Sequence, residues 1–334
     1  MKILLNYYHP VSEDLAITFR ELGHEVFISI NTGVKDHYGD WKILYDLLKE
    51  KYNDGSVVTL SQARVMVKTK QVDIVGVDGV FSGDQDLMQI CKNVSVPFFC
   101  IQGYPLVANE PSYNILSLGW FLPQVQYVSV YKDESEIKTR DWKNIYEIGE
   151  SDMKNICVFY PNFHQLKKDI TNFNNSTNNK KLVSAVQQYE KYNYYSYLLF
   201  RDIKKELEKN GITVNNLESQ PRMDVLDEIS SSTALLHLKF ADQPGIAIFE
   251  AMLLGKPIVT MKQFVLASFN QEVLIDNYNA IIADDVEELK SRILTTDLVH
   301  LGMNAYRHAH MLTSLGRQSG KLEKFLQKSL RSTL

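Results

Sequence analysis

Cysteine is scarce. Cys91, Cys100 and Cys157 are the only three in 334 residues. Three scattered thiols supply neither a framework of pairs nor the close spacing of a zinc site, so disulfide-stapled and zinc-organised folds are excluded, and reduced, packed thiols are expected. Charge of one sign is also lacking. The formal net charge is −4 with a pI near 6.1, which does not fit the basic footprint of a dedicated nucleic-acid binder, although a local basic face remains compatible with it. No apolar run approaches the roughly 20 residues of a membrane span. The opening "MKILLNYYHP" turns polar too soon for a signal-peptide core and suits a buried first strand. A soluble, cytoplasmic chain is expected, with peripheral contact to a membrane left open. Also missing are a short fixed-period repeat, a Walker loop, G-x-G-x-x-G and G-x-S-x-G, and no Asp-x-Asp pair for a metal–diphosphate site stands out.

What is present is an α/β rhythm, in a chain long enough for two cores. "KILLNYY", "HEVFISI", "VDIVGVDG" and "VPFFCIQG" read as buried strands, and "VQYVSVYK" as one more. Between them lie helical patterns. "SEDLAITFRELG" has Ser12 as its expected N-cap and Gly23 as its stop. "DWKILYDLLKEKY" places Ile43, Leu44, Leu47 and Leu48 on one face. "DQDLMQICKN" is a third helix. Such alternation predicts parallel sheets covered on both faces. "KNICVFYPNFHQ" reads as a strand leading into the polar, Asn-rich "LKKDITNFNNSTNNKK", which is expected to be a linker. The rhythm then resumes with "KLVSAVQQY", "ITVNNLE", "ALLHLKF" and "KPIVTM" as strands, and "YSYLLFRDIKKELEKNG", "MDVLDEISSS" and "DVEELKSRILTT" as helices. The tail is helical, with a break expected around "SLGRQSG". The domain expectation is 1–160 as one Rossmann-like domain, 161–310 as a second and 311–334 as a helical tail.

The most informative stretch is "FADQPGIAIFEAMLLGKPIVT". In a parallel sheet, ligands sit beyond the carboxyl ends of the strands. "ALLHLKF" ends at Phe240, so Ala241 to Ile246 lie on that rim. Pro244 suits the first helical turn, Gly245 permits close approach to backbone, and the free N–H groups there, from Gln243 to Ile246, favour an anion such as a diphosphate. Two turns in, Glu250 interrupts an apolar run. A desolvated carboxylate is costly unless it accepts hydrogen bonds, and a pair of vicinal ribose hydroxyls would donate two.

"DQPGIAIFEAMLLGKPIVT" resembles the E-x7-E region of the retaining GT-B glycosyltransferases, family 4-like. The second acid falls on Glu250, and the first on Asp242, as Asp instead of Glu. "ELGHEV" looks like the family's first helix-to-strand turn, "ICVFYPN" like its interdomain V-x-P-N turn, and "NQEVLIDNYNAIIADDVEEL" like its E-x-x-x-D-G-x-N-G segment. The family's G-R…K pair is not reproduced, since "SAVQQYEKYN" offers Gln187, Gln188 and Lys191 but no Arg. Gln102 falls where a histidine is common, and a Gly-Gly pair before Glu272 is missing.

The resemblance implies a GT-B fold, two Rossmann-like domains facing each other across a cleft, 1–160 as the acceptor domain and 161–310 as the donor domain. It also implies sugar transfer from a nucleotide diphosphate sugar, UDP-sugar favoured, to an acceptor hydroxyl, with retention and without a metal or cofactor. Asp242 would contact the transferred sugar and Lys239 would clamp the diphosphate. Glu250, Gln243, Pro244, Gly245, Ile246, Lys191 and Arg222 would hold the donor, Arg222 from a loop near the base. His9, Gln102 and Tyr104 would face acceptor or sugar. The acceptor class stays open between a glycan, a lipid-linked sugar, a protein, a small molecule and a modified DNA base. The alternatives are a non-catalytic binding subunit and a nucleotide-sugar epimerase.

Overall fold

The computed structural model describes residues 1–7, 10–36, 39–77, 82–102, 114–118, 155–169, 181–184, 197–217, 222–238, 246–268 and 273–331. These form two compact units, each built on its own parallel sheet.

In chain order the first unit contains β1 (Lys2–Asn6), α1 (Pro10–Glu21), β2 (Glu25–Ile30), a short ribbon β3 (Lys35–Asp36) and β4 (Gly39–Asp40), α2 (Trp41–Lys51), β5 (Val57–Thr59), α3 (Leu60–Lys68), β6 (Ile74–Val77), α4 (Ser82–Val94), β7 (Phe98–Gln102), β8 (Asn114–Leu118) and β9 (Asn155–Phe159). Its sheet runs β5-β2-β1-β6-β7-β8-β9, parallel throughout. Strands such as β1 and β6 are apolar and buried along their length because both sheet faces are covered. Gly76 in β6 is there for space: a Cβ would lie 2.6 Å from the Phe99 ring and 2.7 Å from Leu5.

Several local expectations are corrected. Helix α1 begins at Pro10, whose missing N–H is harmless in the first turn. Ser12 is therefore not the cap; it lies inside the helix, fully buried. The stop is at Gly23 as expected, with φ of 85°. In α2 the buried residues are Trp41 and Leu48, whereas Ile43 and Leu47 are 60% and 58% exposed. Leu48 is one helical turn from Leu44 and two from Trp41, so the buried stripe runs through the aromatic that the pattern of leucines hid. "LSQARVMVKTK", given no element above, is α3, opened by a capping box between Thr59 and Gln62. The strand β8 was also not foreseen, and "VQYVSVYK" lies outside the described residues.

The start of the expected linker is helical: α5 (His164–Asp169) buries Leu166. The second unit continues with β10 (Lys181–Ser184), α6 (Tyr197–Lys209), β11 (Thr213–Asn216), α7 (Arg222–Ser231), β12 (Ala234–Leu236), α8 (Ile246–Leu253), β13 (Ile258–Met261), α9 (Lys262–Ser268), β14 (Ala280–Ala283), α10 (Val286–Thr295) and α11 (Leu298–Leu312). Its sheet order is β11-β10-β12-β13-β14, again parallel. One core joins Leu182, Leu236 and Val259 from the strands to Phe200, Ile203 and Leu207 of α6 and Leu289 of α10.

The last helix, α12 (Leu315–Arg331), belongs to the first unit. Phe325 meets Phe99 edge-on with ring centroids 5.5 Å apart, and Phe99 in turn meets Phe19 at 6.4 Å. The break in the tail falls at Thr313 and Ser314, at the start of the expected "SLGRQSG". Thr313 ends α11, its hydroxyl donating to the Ala309 carbonyl, and both Gly316 and Gly320 lie within α12.

Candidate functional site

Each sheet has one point where the chain reverses its direction of winding, and ligands of open α/β sheets collect beyond the carboxyl ends of the strands there. In the second unit the chain passes from β10 outward to β11, then returns to the other side as β12, β13 and β14. The switch point is therefore between the ends of β10 and β12. It is formed by Ser184, which pairs with Asn216 and Leu236, by His237 and Leu238 beyond β12, and by helix α8, which follows in sequence.

Helix α8 carries Glu250. Six consecutive residues, Ile248 to Leu253, are buried, so the helix is surrounded by protein on every side, and Glu250 itself is 6% exposed. The helix is held at its far end. Gly255, at φ of 71°, donates to the Met252 carbonyl and Lys256 donates to that of Ala251, the double bond of a Schellman stop. Gly302 of α11 lies directly against this turn: a Cβ there would sit 2.1 Å from the Gly255 carbonyl oxygen. The "GKP" ending and the glycine of α11 thus fix the seat of the helix that carries Glu250.

Lys256 was the obvious protein partner for Glu250. It is buried, 4% exposed, yet forms no ion pair within 4.0 Å among the described residues. Burial alone lowers its pKa from the ordinary lysine value, with no carboxylate opposing the shift. The end of β12 is rigid: Thr260, fully buried, donates to the His237 carbonyl at 2.6 Å, and the His237 N–H donates to Val259 at 2.8 Å. His237 is buried here, as a packed histidine would be.

Ser184 is a residue that the sequence reading passed over. It is fully buried, and its hydroxyl has no hydrogen-bond partner among the described residues. A buried hydroxyl is normally paired. The available signal was a polar residue ending the apolar "KLVS" run at a switch-point strand.

The expected site residues distribute as follows. Glu250 and Ile246 lie on α8, Ile246 as its first residue. Arg222 opens α7 and so is not in the loop where it was expected. Gln102 is the last residue of β7, at the carboxyl edge of the first sheet. Asp242, Lys239, Gln243, Pro244, Gly245, Lys191, His9 and Tyr104 lie outside the described residues.

In the first unit the switch point is between β1 and β6. There Asn6 donates to Asp84 at 2.7 Å and accepts from the Ser29 hydroxyl at 2.6 Å, all three buried. Asp84-Gln85-Asp86 has an Asp-x-Asp spacing that the sequence reading did not single out. The structure separates its members: Asp84 faces Asn6, while exposed Asp86 pairs with Arg64. Cys91, Cys100 and Cys157 are free and buried, and burial pushes the Cys91 thiol up to about 12 and Cys157 to about 11.

The "DNYNA" turn between α9 and β14 shows how local chemistry can replace a glycine. Asn277 takes φ of 60°, tolerated by its short polar side chain. Asn279, fully buried, accepts from the Ile275 N–H and donates to the Val273 carbonyl. Asp276 accepts from the Ile282 N–H and pairs with Arg292.

The architecture is the GT-B fold. A TarM mutant from S. aureus, in complex with fondaparinux, alpha-GlcNAc-glycerol and UDP, superposes with a TM-score of 0.61 at 9% identity over 99% of each chain. An O-GlcNAc transferase mutant from Thermobaculum terrenum gives 0.59 at 13% identity over 100% of this chain and 68% of its own. The catalytic domain of starch synthase IV from Arabidopsis thaliana, bound to ADP and acarbose, gives 0.57 at 9% identity over 99% of each chain. At such identities the likeness establishes the fold. No protein-family model and no curated protein matches the sequence.

Proposed function

We propose that the chain is a glycosyltransferase that takes a sugar from a nucleotide diphosphate sugar, UDP-sugar in the first instance, and passes it to an acceptor hydroxyl. The observation that supports this most is at the second unit's switch point, where the Ser184 hydroxyl is buried without a partner among the described residues and helix α8, which carries the buried Glu250, follows β12 in sequence. Glu250 accepts hydrogen bonds from the vicinal ribose hydroxyls. The N–H groups of Gln243, Gly245 and Ile246, at the start of α8, meet the diphosphate, with Pro244 between them. Lys239 stabilises the charge that develops on it as the anomeric bond breaks, with Lys191 in support. Asp242 holds the transferred sugar, Arg222 lies toward the base, and His9, Gln102 and Tyr104 serve the acceptor side. The E-x7-E resemblance supports retention of configuration and a reaction that uses no metal. The ligands bound in the fold neighbours, UDP in one and ADP in another, agree with a nucleotide donor.

Calorimetric titration with UDP and a panel of UDP- and ADP-sugars tests this. Glu250→Gln is expected to weaken nucleotide binding at least tenfold, the scale of losing hydrogen bonds to a charged group. Unchanged affinity in that variant overturns the assignment of Glu250. Binding without nucleotide release toward any acceptor moves the chain to the non-catalytic reading favoured by the missing arginine. Free sugar products formed without an acceptor move it to the epimerase reading.

A further inference from the structure

Helix α12 carries Arg317, Lys321, Lys324, Lys328 and Arg331 at successive steps of four, three, four and three residues. That spacing places all five on one face, in a line about 20 Å long at 1.5 Å per residue. The opposite face is spent on the fold: Leu322, Phe325 and Leu326 are buried in the first unit. The one acid of the helix, Glu323, turns away from the row and meets His24 at 3.1 Å.

Several cations of other helices are set beside acids. In α2, Lys42 pairs with Asp46; in α6, Lys204 pairs with Glu208 and Lys209 with Glu206; in α10, Lys290 pairs with Glu287 and Arg292 with Glu288. On α12, Lys321, Lys324, Lys328 and Arg331 enter no ion pair among the described residues. Like charges one turn apart repel and weaken a helix. The last turn offsets this for Lys328 and Arg331 through the helix dipole, but not for the cations before it. A chain of net charge −4 thus keeps a concentrated positive row, four of whose cations, Lys321, Lys324, Lys328 and Arg331, have no acid beside them among the described residues.

We propose that this row is a docking face for a bilayer bearing anionic lipid. A helix side is convex, and a convex rod meets a plane along a line, whereas a single polyanionic strand is held in a groove with cations from several sides. The exposed positions between the cations are Gly320 and Gln327, with Gly316 at the start. No aromatic is present to stack nucleobases, and no apolar side chain to enter the hydrocarbon. Three of the five cations are lysines, compact hydrated charges suited to diffuse attraction and not to forked recognition of one phosphate. The attachment is therefore electrostatic, reversible and sensitive to salt.

Co-sedimentation of the full chain with vesicles tests this. Phosphatidylcholine vesicles containing phosphatidylglycerol are expected to carry the protein down and pure phosphatidylcholine vesicles are not, and raised salt is expected to release it. Each cation near such a surface contributes roughly fivefold in partitioning, so Lys321→Gln/Lys324→Gln/Lys328→Gln together lower it roughly a hundredfold. The melting temperature of this triple variant is expected to stay level or rise, because like-charge repulsion is relieved, which separates lost docking from lost folding. Absence of vesicle binding, equal binding to neutral vesicles, or undiminished binding by the triple variant overturns the proposal. So does tight capture by soluble heparin or polyphosphate with no vesicle binding.

Discussion

At the switch point of the first sheet, Asn6, Ser29 and Asp84 hold one another in a buried network; at the switch point of the second, the Ser184 hydroxyl is buried without a partner among the described residues, and Glu250 lies in the following helix α8, which is apolar around it. The two sheets share a topology up to that point, with a central first strand and a return on its other side. They differ in what satisfies their polar groups. A closed network contributes to folding. A hydroxyl left unpaired in the interior costs stability, and natural chains tolerate such lapses mainly where a ligand completes the site. The end of β1 thereby serves folding, and the end of β10 is left for the proposed donor to complete, although the buried Ser12 hydroxyl of α1 also lacks a partner among the described residues.

The largest effect belongs to the closed network. Asp84→Ala strands the Asn6 amide in the interior and is expected to cost about 2 kcal/mol in urea unfolding. A loss close to zero would mean that the first unit's network is as dispensable as the second's empty hydroxyl. A smaller effect of opposite sign is expected at Lys256. Its folded pKa is lowered by burial from the ordinary 10.5, so between the folded and unfolded values the unfolded chain binds more protons. Stability therefore rises with pH through that window. Lys256→Met is expected to remove the rise and to gain about 1 kcal/mol at neutral pH; if the alkaline slope persists, another group causes it. The smallest effect is expected at Ser184. Ser184→Ala should change the stability of the ligand-free chain by less than about 0.5 kcal/mol while reducing UDP affinity several-fold. A destabilisation matching that of Asp84→Ala would erase the distinction between the two switch points.

Most of the strands were legible because fully buried strands read as short apolar runs bounded by turn residues, as "KILLN", "FFCIQ" and "IVTM" do. Helix stops were legible where glycine was required, at Gly23, Gly211 and Gly255, all at positive φ. Burial within α2 was not legible, because its apolar residues outnumber the positions that face the sheet, and Trp41 took the place assigned to Leu47. Helix α3 was obscured by its polar surface, although the Thr59–Gln62 capping box marks its start. At the candidate site, Glu250 could be found because an acid in an apolar helix conflicts with its surroundings. Ser184 could not, since a serine at a strand end is ordinary until the topology shows which strand it ends. The fate of Asp84 likewise depends on Asn6, a neighbour distant in sequence.

The seat of Phe325 against Phe99 has a consequence for biosynthesis. As the polypeptide leaves the ribosome, everything needed for the second sheet emerges before the helix that covers Phe99. The amino-terminal half therefore waits with part of its aromatic core open to water while the other half completes itself. Maturation in this chain runs against the direction of translation, and the interval before the last turns appear is when it is most exposed to chaperones, proteases and self-association.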